Sequence, residues 1–331
     1  MAAAAQGHIQ RVSSPLMMMQ TRTSPTFSMS GGAAGRCQEE RSRHGKRTIN
    51  PSTRNREKIL LSSHEFQLFR DLIKQRAGIA LSEDKIELLK ARLTKILRRK
   101  GLRNFREYHK VVSMDASGAE LSDLLDAITT NLTSFFRESK HLDFLTRKAM
   151  PDIMIRRRRD TDRTIRIWSA GCSSGEEPYS IAMTLLDTGF FSSVWRLSIS
   201  ATDLCTDVLA KAEKGIYEHD RISTVPPPLL KKFFKKGINR ASGFVRVKRE
   251  IRQHVCFSRL NLMEAFPWRE PIDVIFCRNV MIYFDKSTQE RLINQFYRHL
   301  RDGGYLFIGH SESLTGIRHN YRYVCPTVYQ K

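Results

Sequence analysis

The sequence predicts an α/β fold: a parallel sheet covered by helices on both faces, with a small antiparallel insertion and a small all-helical domain in front. Three observations predict it. Apolar residues recur at helical spacing from Leu60 to Ile128. From Ile165 to Ile308 short apolar runs alternate with amphipathic segments, the pattern of strands joined by crossover helices. Between Lys231 and Phe257, after a turn bracketed by Gly237 and Gly243, Phe244-Val245-Arg246-Val247-Lys248 alternates at period two, as a strand with one buried face does.

Residues 1–57 precede the folded pattern. They hold Ala2–Ala5, Met17–Met19 and many Ser and Thr, with nine Arg and Lys against three Glu. Such a segment buries too little surface to offset its ordering entropy, so a disordered basic extension is expected. Its Arg-rich, Ser-rich, acid-poor character also resembles an organelle transit peptide, and an over-extended start codon accounts for it equally well. Met1–Gln10 lacks the apolar core of a secretory signal.

Residues 58–130 read as the helical domain. Ser62 or Ser63 caps a helix carrying Phe66, Phe69, Leu72 and Ile73, which stops at Gly78. Ser82 caps a second, with Ile86, Leu89, Leu93, Ile96 and Leu97 on one face and Gly101 as its stop. Its other face carries Lys85, Lys90, Arg92, Lys95, Arg98, Arg99 and Lys100. Acids on the same helix are too few to screen that charge, which on charge alone leaves a surface for an acidic partner and a solvated face as equal readings. Phe105–Tyr108 and Leu121–Ile128 mark two more helices. Residues 131–160 read as a linker that includes the basic run Arg156–Arg159. From 161 to 331 the strands are Ile165–Ala170, Leu197–Thr202, Val274–Cys277 and Tyr305–Ile308, with helices at Glu177–Leu186 and Gln289–Leu300. The antiparallel insertion falls at about 231–257.

Composition narrows the function. The 331 residues allow two domains, and 56 Lys and Arg against 34 Asp and Glu leave a net charge of +22. That charge attracts nucleic acid, a phospholipid surface or a carboxylate-rich protein. No uncharged apolar run approaches 18 residues, so neither a membrane-spanning helix nor membrane insertion is expected, and a cytoplasmic protein is. Cys37, Cys172, Cys205, Cys256, Cys277 and Cys325 form no Cys-x-x-Cys pair, which favours reduced structural thiols over disulfides or a metal centre. The ten histidines show no ligand spacing.

The first strand runs into Ser169-Ala170-Gly171-Cys172-Ser173-Ser174-Gly175-Glu176-Glu177-Pro178-Tyr179-Ser180. Small residues at a strand-to-helix turn let the backbone approach a ligand closely. The Gly-x-Gly-x-x-Gly spacing of a dinucleotide site is absent, and two acids at the mouth suit a cationic ligand better than a phosphate. Asp203 ends the second strand, where acidic residues hold ribose hydroxyls; it can equally cap the helix that begins at Thr206.

Five blocks then follow in order: Asn131-Leu132-Thr133-Ser134-Phe135-Phe136-Arg137, Gly175 to Met183, Ala201-Thr202-Asp203, Phe276-Cys277-Arg278-Asn279-Val280-Met281-Ile282-Tyr283-Phe284, and Gly309-His310-Ser311-Glu312. Together they resemble the CheR family of chemotaxis protein-glutamate O-methyltransferases, over roughly Leu60 to Tyr329. The resemblance implies a Rossmann-like domain that binds S-adenosylmethionine and releases S-adenosylhomocysteine. It implies that Asn131, Thr133 and Arg137 reach the cofactor, that Glu177 holds its amino end and Asp203 its ribose. Asn261 and Leu262 would flank the adenine, and Arg278 and Asn279 would line the mouth of the fourth strand. Arg137 and Tyr283 would stand at the reacting centre. The implied partner is the cytoplasmic, glutamate-rich helical bundle of a chemoreceptor, met by Arg92, Lys95 and Arg98 of a monomeric enzyme. Some members hold a receptor tether peptide on the insertion, and the loop 237–243 is not shortened here.

The chemistry agrees. A carboxylate is already ionised at neutral pH, so its attack on a sulfonium methyl needs no general base, and the enzyme has only to align the reacting groups. That accounts for the absence of a Ser/His/Asp triad. The alternative is a nucleic-acid methyltransferase, suggested by the charge. Amino-methylating enzymes of that kind carry an Asn/Asp-Pro-Pro-aromatic element after the fourth strand, where this chain has Cys277-Arg278-Asn279-Val280. Its basic residues are not interleaved with aromatics either.

Overall fold

A computed structural model describes residues 60–129, 131–191 and 194–331. The extension expected to be disordered, and Cys37 within it, lie outside these residues.

Helix α1 (Ser63–Ala77) begins in a capping box: Ser62 Oγ accepts from Glu65 N and the Glu65 carboxylate accepts from Ser62 N. It ends at Gly78, in left-handed conformation. Ser82 leads into a 3₁₀ turn at Glu83–Lys85 but makes no capping bond; α2 (Ile86–Lys100) follows and stops at Gly101. Helices α3 (Phe105–Met114) and α4 (Ala119–Ile128) complete a bundle around buried Phe69, Ile73, Leu93, Leu97, Phe105, Tyr108 and Leu124.

The basic face of α2 departs from expectation. Its cations find acids on the neighbouring helix: Lys100 pairs with Glu120 and Asp123 of α4, and Arg99 with Asp123. Arg92 donates to the carbonyls of Ala127 (2.9 Å) and Thr129 (2.8 Å), which close the end of α4. Screening across helices is invisible when one helix is read by itself. Lys95 and Arg98 stay exposed, with no ion pair among the described residues.

The segment expected as a linker is largely helical. Helix α5 (Ser139–Phe144), a π-helical turn (Leu145–Ala149) and α6 (Met150–Arg156) run end to end, and Leu142, Leu145, Met150 and Ile153 pack into the main core. Arg157, in the basic run, is buried and bonds Asp273, Asp160 and two carbonyls, so it is part of the core rather than a solvated charge.

Then come β1 (Thr164–Ala170), α7 (Glu176–Asp187), β2 (Arg196–Asp203), α8 (Thr206–Lys214), β3 (Ile216–Glu218), α9 (Pro227–Phe233), β4 (Phe234–Lys236), β5 (Phe244–Val247), α10 (Arg249–Arg252), β6 (Val255–Arg259), β7 (Ile272–Cys277), α11 (Lys286–His299), β8 (Leu300–Ile308), β9 (Arg322–Cys325) and β10 (Val328–Gln330). The main sheet has seven strands in the order β6-β2-β1-β7-β8-β10-β9. The first five are parallel, but β10 is antiparallel to β8 and β9, so the sheet is mixed. β7 is buried along its whole length, as a central parallel strand must be.

The insertion is real but differently bounded. Its sheet is β3-β5-β4, so it starts at Ile216, whereas Val255–Arg259 is an edge strand of the main sheet. Tyr217, a residue of β3, pairs with Val245 from far along the chain, a contact no local pattern announces.

The helical domain is stitched to the sheet domain at the site. Ile79 bridges Phe284, Ala80 N donates to Tyr283 O (2.8 Å), Lys74 pairs with Asp285, and Asn261 Nδ2 donates to Arg76 O.

Candidate active site

The chain leaves β1 for β2 and β6 on one side, then crosses to β7 and β8 on the other, so the topological switch lies between β1 and β7. In such sheets a ligand sits outside the carboxyl ends of the strands at that point.

The turn after β1 closes over β2, with Gly171 N and Cys172 N both donating to Thr202 O. Gly171 is required twice over. Its φ is +81°, and a Cβ there would stand 2.4 Å from Val280 Cγ2. Ser173, also left-handed, presents its N–H to Asp203 Oδ2 at 2.8 Å, and Cys205 N donates to Oδ1 at 2.9 Å. Burial pushes the Asp203 carboxyl above its usual range, opposed by these backbone donors. Asp203 is not the cap of α8: that position is Cys205, and Asp126 of α4 receives Thr206 N.

Glu177 receives Ser169 Oγ on Oε1 and Arg278 Nε on Oε2, both at 2.7 Å. Arg278 also donates Nη1 to the Arg137 carbonyl and lies 3.5 Å from Glu138 Oε2. The adjacent Glu176 serves the scaffold instead. Fully buried, it takes Ser174 Oγ and pairs with Arg221. Two neighbouring glutamates thus divide between site and scaffold, a distinction the Glu-Glu pair in the sequence does not carry.

Segment 131–138 crosses the mouth. Asn131 O accepts from Ser173 Oγ (3.0 Å), Thr133 O from Arg221, and Arg137 Nη1 donates to Leu132 O. Phe136 and Glu138 both have φ of 54°, left-handed values at non-glycine residues, and Ser180 Oγ receives Phe136 N. Asn261 and Leu262 are buried after β6, with the Asn261 side chain bonded to Arg76 O and Met263 N. Asn279 directly follows Arg278, and Tyr283 is exposed on the loop joined to Ala80. Asn131, Glu177, Asp203, Arg278 and Asn279 therefore gather at the ends of β1, β2 and β7. Lys95 and Arg98 stand apart on α2.

Sequence reasoning passed over Ser169, Glu138 and His141. His141 is buried, 3.4 Å from Arg278 Nη1 and 2.6 Å from Thr327 Oγ1. Glu138 Oε2 is 3.3 Å from Nδ1, yet burial and then the Arg278 charge pull the imidazole down to about 3, so it is neutral. Ligand atoms of Glu138, His141 and His310 approach within 4.8 Å of one another, but the Arg278 guanidinium already supplies positive charge there. Because unfolding exposes an imidazole that takes up a proton below about 6.5, stability should fall as pH drops from about 6.5 toward 3, by up to about 1.4 kcal/mol per unit. His141→Gln should flatten that dependence; an equal loss of melting temperature between pH 7 and 5 in variant and parent would contradict it.

The buried cysteines Cys172, Cys205 and Cys277 are free, and burial raises all three thiols; Cys256 is free too but exposed on β6. Their structural reading holds for the buried three and not on burial grounds for Cys256.

The site fits S-adenosylmethionine. The carboxylates of Glu177 and Asp203 hold fewer donors than they have lone pairs, and Glu138 Oε2 is buried without a hydrogen bond, so acceptors remain for an ammonium and for hydroxyls.

Comparison with known proteins bears on the class directly. Residues 131–329 match the family described as CheR methyltransferase, SAM binding domain, and residues 64–129 match CheR methyltransferase, all-alpha domain. The chain is 42% identical over 275 residues to a chemotaxis protein methyltransferase of Borreliella burgdorferi, covering 82% of this chain and 96% of that one. To the chemotaxis protein methyltransferase of Escherichia coli K12 it is 40% identical over 275 residues, covering 82% and 92%. Fold and site define an S-adenosylmethionine-dependent protein methyltransferase. The chain belongs to the CheR family, whose methylation serves chemotaxis.

Proposed function

We propose that this enzyme methylates glutamate carboxylates on the cytoplasmic helical bundle of a chemoreceptor, giving methyl esters. The observation that carries this reading is the seam between domains: the segment Gly78–Ala80, between α1 and the basic α2, is hydrogen-bonded to the Tyr283 loop at the candidate site. An acidic helix drawn to the helical domain would thereby be brought to the reacting centre. The nucleic-acid alternative is not favoured by the family or by the relatives.

S-adenosylmethionine supplies the electrophilic methyl. Glu177, fixed by Ser169 and Arg278, would hold its ammonium, and Asp203 its ribose hydroxyls, with Asn131, Thr133, Asn261, Leu262, Arg278 and Asn279 completing the pocket. Arg137 and Tyr283 orient the incoming carboxylate and exclude water, and neither exchanges a proton. The enzyme acts as a cytoplasmic monomer, and no helix among the described residues is long and apolar enough to cross a membrane. A receptor tail could be tethered by strand addition at an outer strand of the small sheet, β4 or β3, since β5 is central. The test is transfer of labelled methyl to receptor against DNA and RNA; base-labile label on receptor supports the reading, and stable label or transfer to nucleic acid defeats it.

Docking should run through Lys95 and Arg98. Arg92 is left out of the test because its loss also uncaps α4. Lys95→Ala/Arg98→Ala should lower receptor kcat/KM at low salt by roughly threefold to tenfold, with the difference fading as the screening length falls to ~3 Å at 1 M. A parental rate at low salt would return α2 to a solvated face. A deficit that persists at 1 M salt would point to packing instead of charge.

A further inference from the structure

The loop that leaves β7, residues 279–283, is held by its neighbours more than by itself. Its own backbone bonds are Tyr283 N to Val280 O and Phe284 N to Met281 O, and Asn279 opens it with φ of 59°. Three of the remaining N–H groups, those of Asn279, Met281 and Ile282, meet a single side chain. Glu312, buried in the turn after β8, accepts Gly309 N (2.6 Å) and Asn279 N (3.0 Å) on Oε2, and Met281 N (2.8 Å) and Ile282 N (3.3 Å) on Oε1.

Four donors converge on two oxygens, and only an acceptor-only carboxylate satisfies them all. An amide or a protonated acid would turn a donor toward donors. Gly309 sits inside this latch with no room for a side chain: a Cβ would stand 2.6 Å from Asn279 Nδ2, 2.8 Å from Asn279 N and 2.9 Å from Glu312 Oε2. On the opposite side Val280 fills the space above Gly171. The loop is thus clasped between the turns that follow β1 and β8.

We propose that Glu312 is a positioning residue of the methyl transfer. Its carboxylate, closed over Gly309, sets the loop so that Tyr283 faces the reacting groups. This rests on the proposed place of Tyr283 in the reaction. Glu312 touches no substrate; it acts through backbone N–H groups. Transfer depends on in-line alignment, and a misplacement near 1 Å can cost on the order of a hundredfold in rate.

The test is a set of variants assayed at saturating S-adenosylmethionine and receptor, with S-adenosylhomocysteine affinity by calorimetry and melting temperature alongside. Glu312→Gln and Gly309→Ala should each lower kcat about tenfold to a hundredfold, with a much smaller change in S-adenosylhomocysteine affinity. In a Tyr283→Ala background neither should lower kcat by more than about twofold further, because the residue they position is already gone. A general structural weakening would lower kcat equally in both backgrounds, and that result overturns the proposal. So does a parental kcat in Gly309→Ala, which carries the test if Glu312→Gln does not fold. Tyr283→Ala at parental kcat fails the underlying reading of Tyr283. A Tyr283-dependent enzyme that is indifferent to both latch variants fails the latch alone.

Discussion

Replacing Arg278 by alanine should destabilise the fold by about 3–5 kcal/mol, the cost of leaving a buried charge without its partner. Arg278 stands 2.7 Å from Glu177 Oε2, 2.8 Å from the Arg137 carbonyl and 3.5 Å from Glu138 Oε2, and its side chain and both carboxylates are largely buried. Removal strands two acids in one buried corner and frees the left-handed turn at Glu138. Cofactor affinity should fall with stability, because Glu177 then lacks the bond that aims it. Arg278→Lys keeps the charge but cannot donate at the Nε and Nη1 positions together, so it should recover stability only in part. Urea unfolding and calorimetry measure the two effects. A variant within a few tenths of a kcal/mol of the parent would mean that the corner hydrates freely.

The other large effect belongs to the amino end of the same strand. Asp273, wholly buried in β7, accepts Arg157 Nη1 (2.9 Å) and Arg166 N (2.8 Å) on one oxygen and Arg301 Nε (3.0 Å) on the other. Asp273→Ala should cost about 3–4 kcal/mol, at the lower end for a broken buried pair because Arg157 keeps Asp160 and two carbonyls. Here cofactor affinity, measured well below the melting temperature, should stay at the parental value. The two variants separate what β7 contributes at its two ends: ion pairs that only hold the sheet, and ion pairs that also shape the site. An Asp273→Ala protein that loses cofactor affinity while still folded would break that separation.

Much of the scaffold was legible residue by residue. Ser62, one of two cap candidates, and Gly78 and Gly101 mark helix ends through local hydrogen bonds and backbone sterics, which act over three or four residues and are written in order along the chain. The apolar runs of β7 and of β8 from Tyr305 were legible because a buried parallel strand is apolar on both faces, and β1 and β2 were legible through apolar residues recurring at period two before a buried end. The mixed sheet was not. Strands β9 and β10 are short, and their antiparallel direction is set by partners rather than by pattern. The true start of the insertion, the helix through 139–156 and the neutralised cations of α2 escaped likewise, because each depends on what packs against it.

The same division runs through the site. The fold class, the family to which the chain belongs, and the acids Glu177 in the first turn of α7 and Asp203 at the end of β2 were all legible in the order of the blocks along the chain. Only the tertiary structure decided that Glu177 faces the crevice while Glu176 braces Arg221, that Arg92 closes α4, and that His141 is buried neutral against Arg278. A side chain's charge and type are local properties, whereas its protonation, its partner and its direction follow from the burial and neighbours that distant segments bring to it.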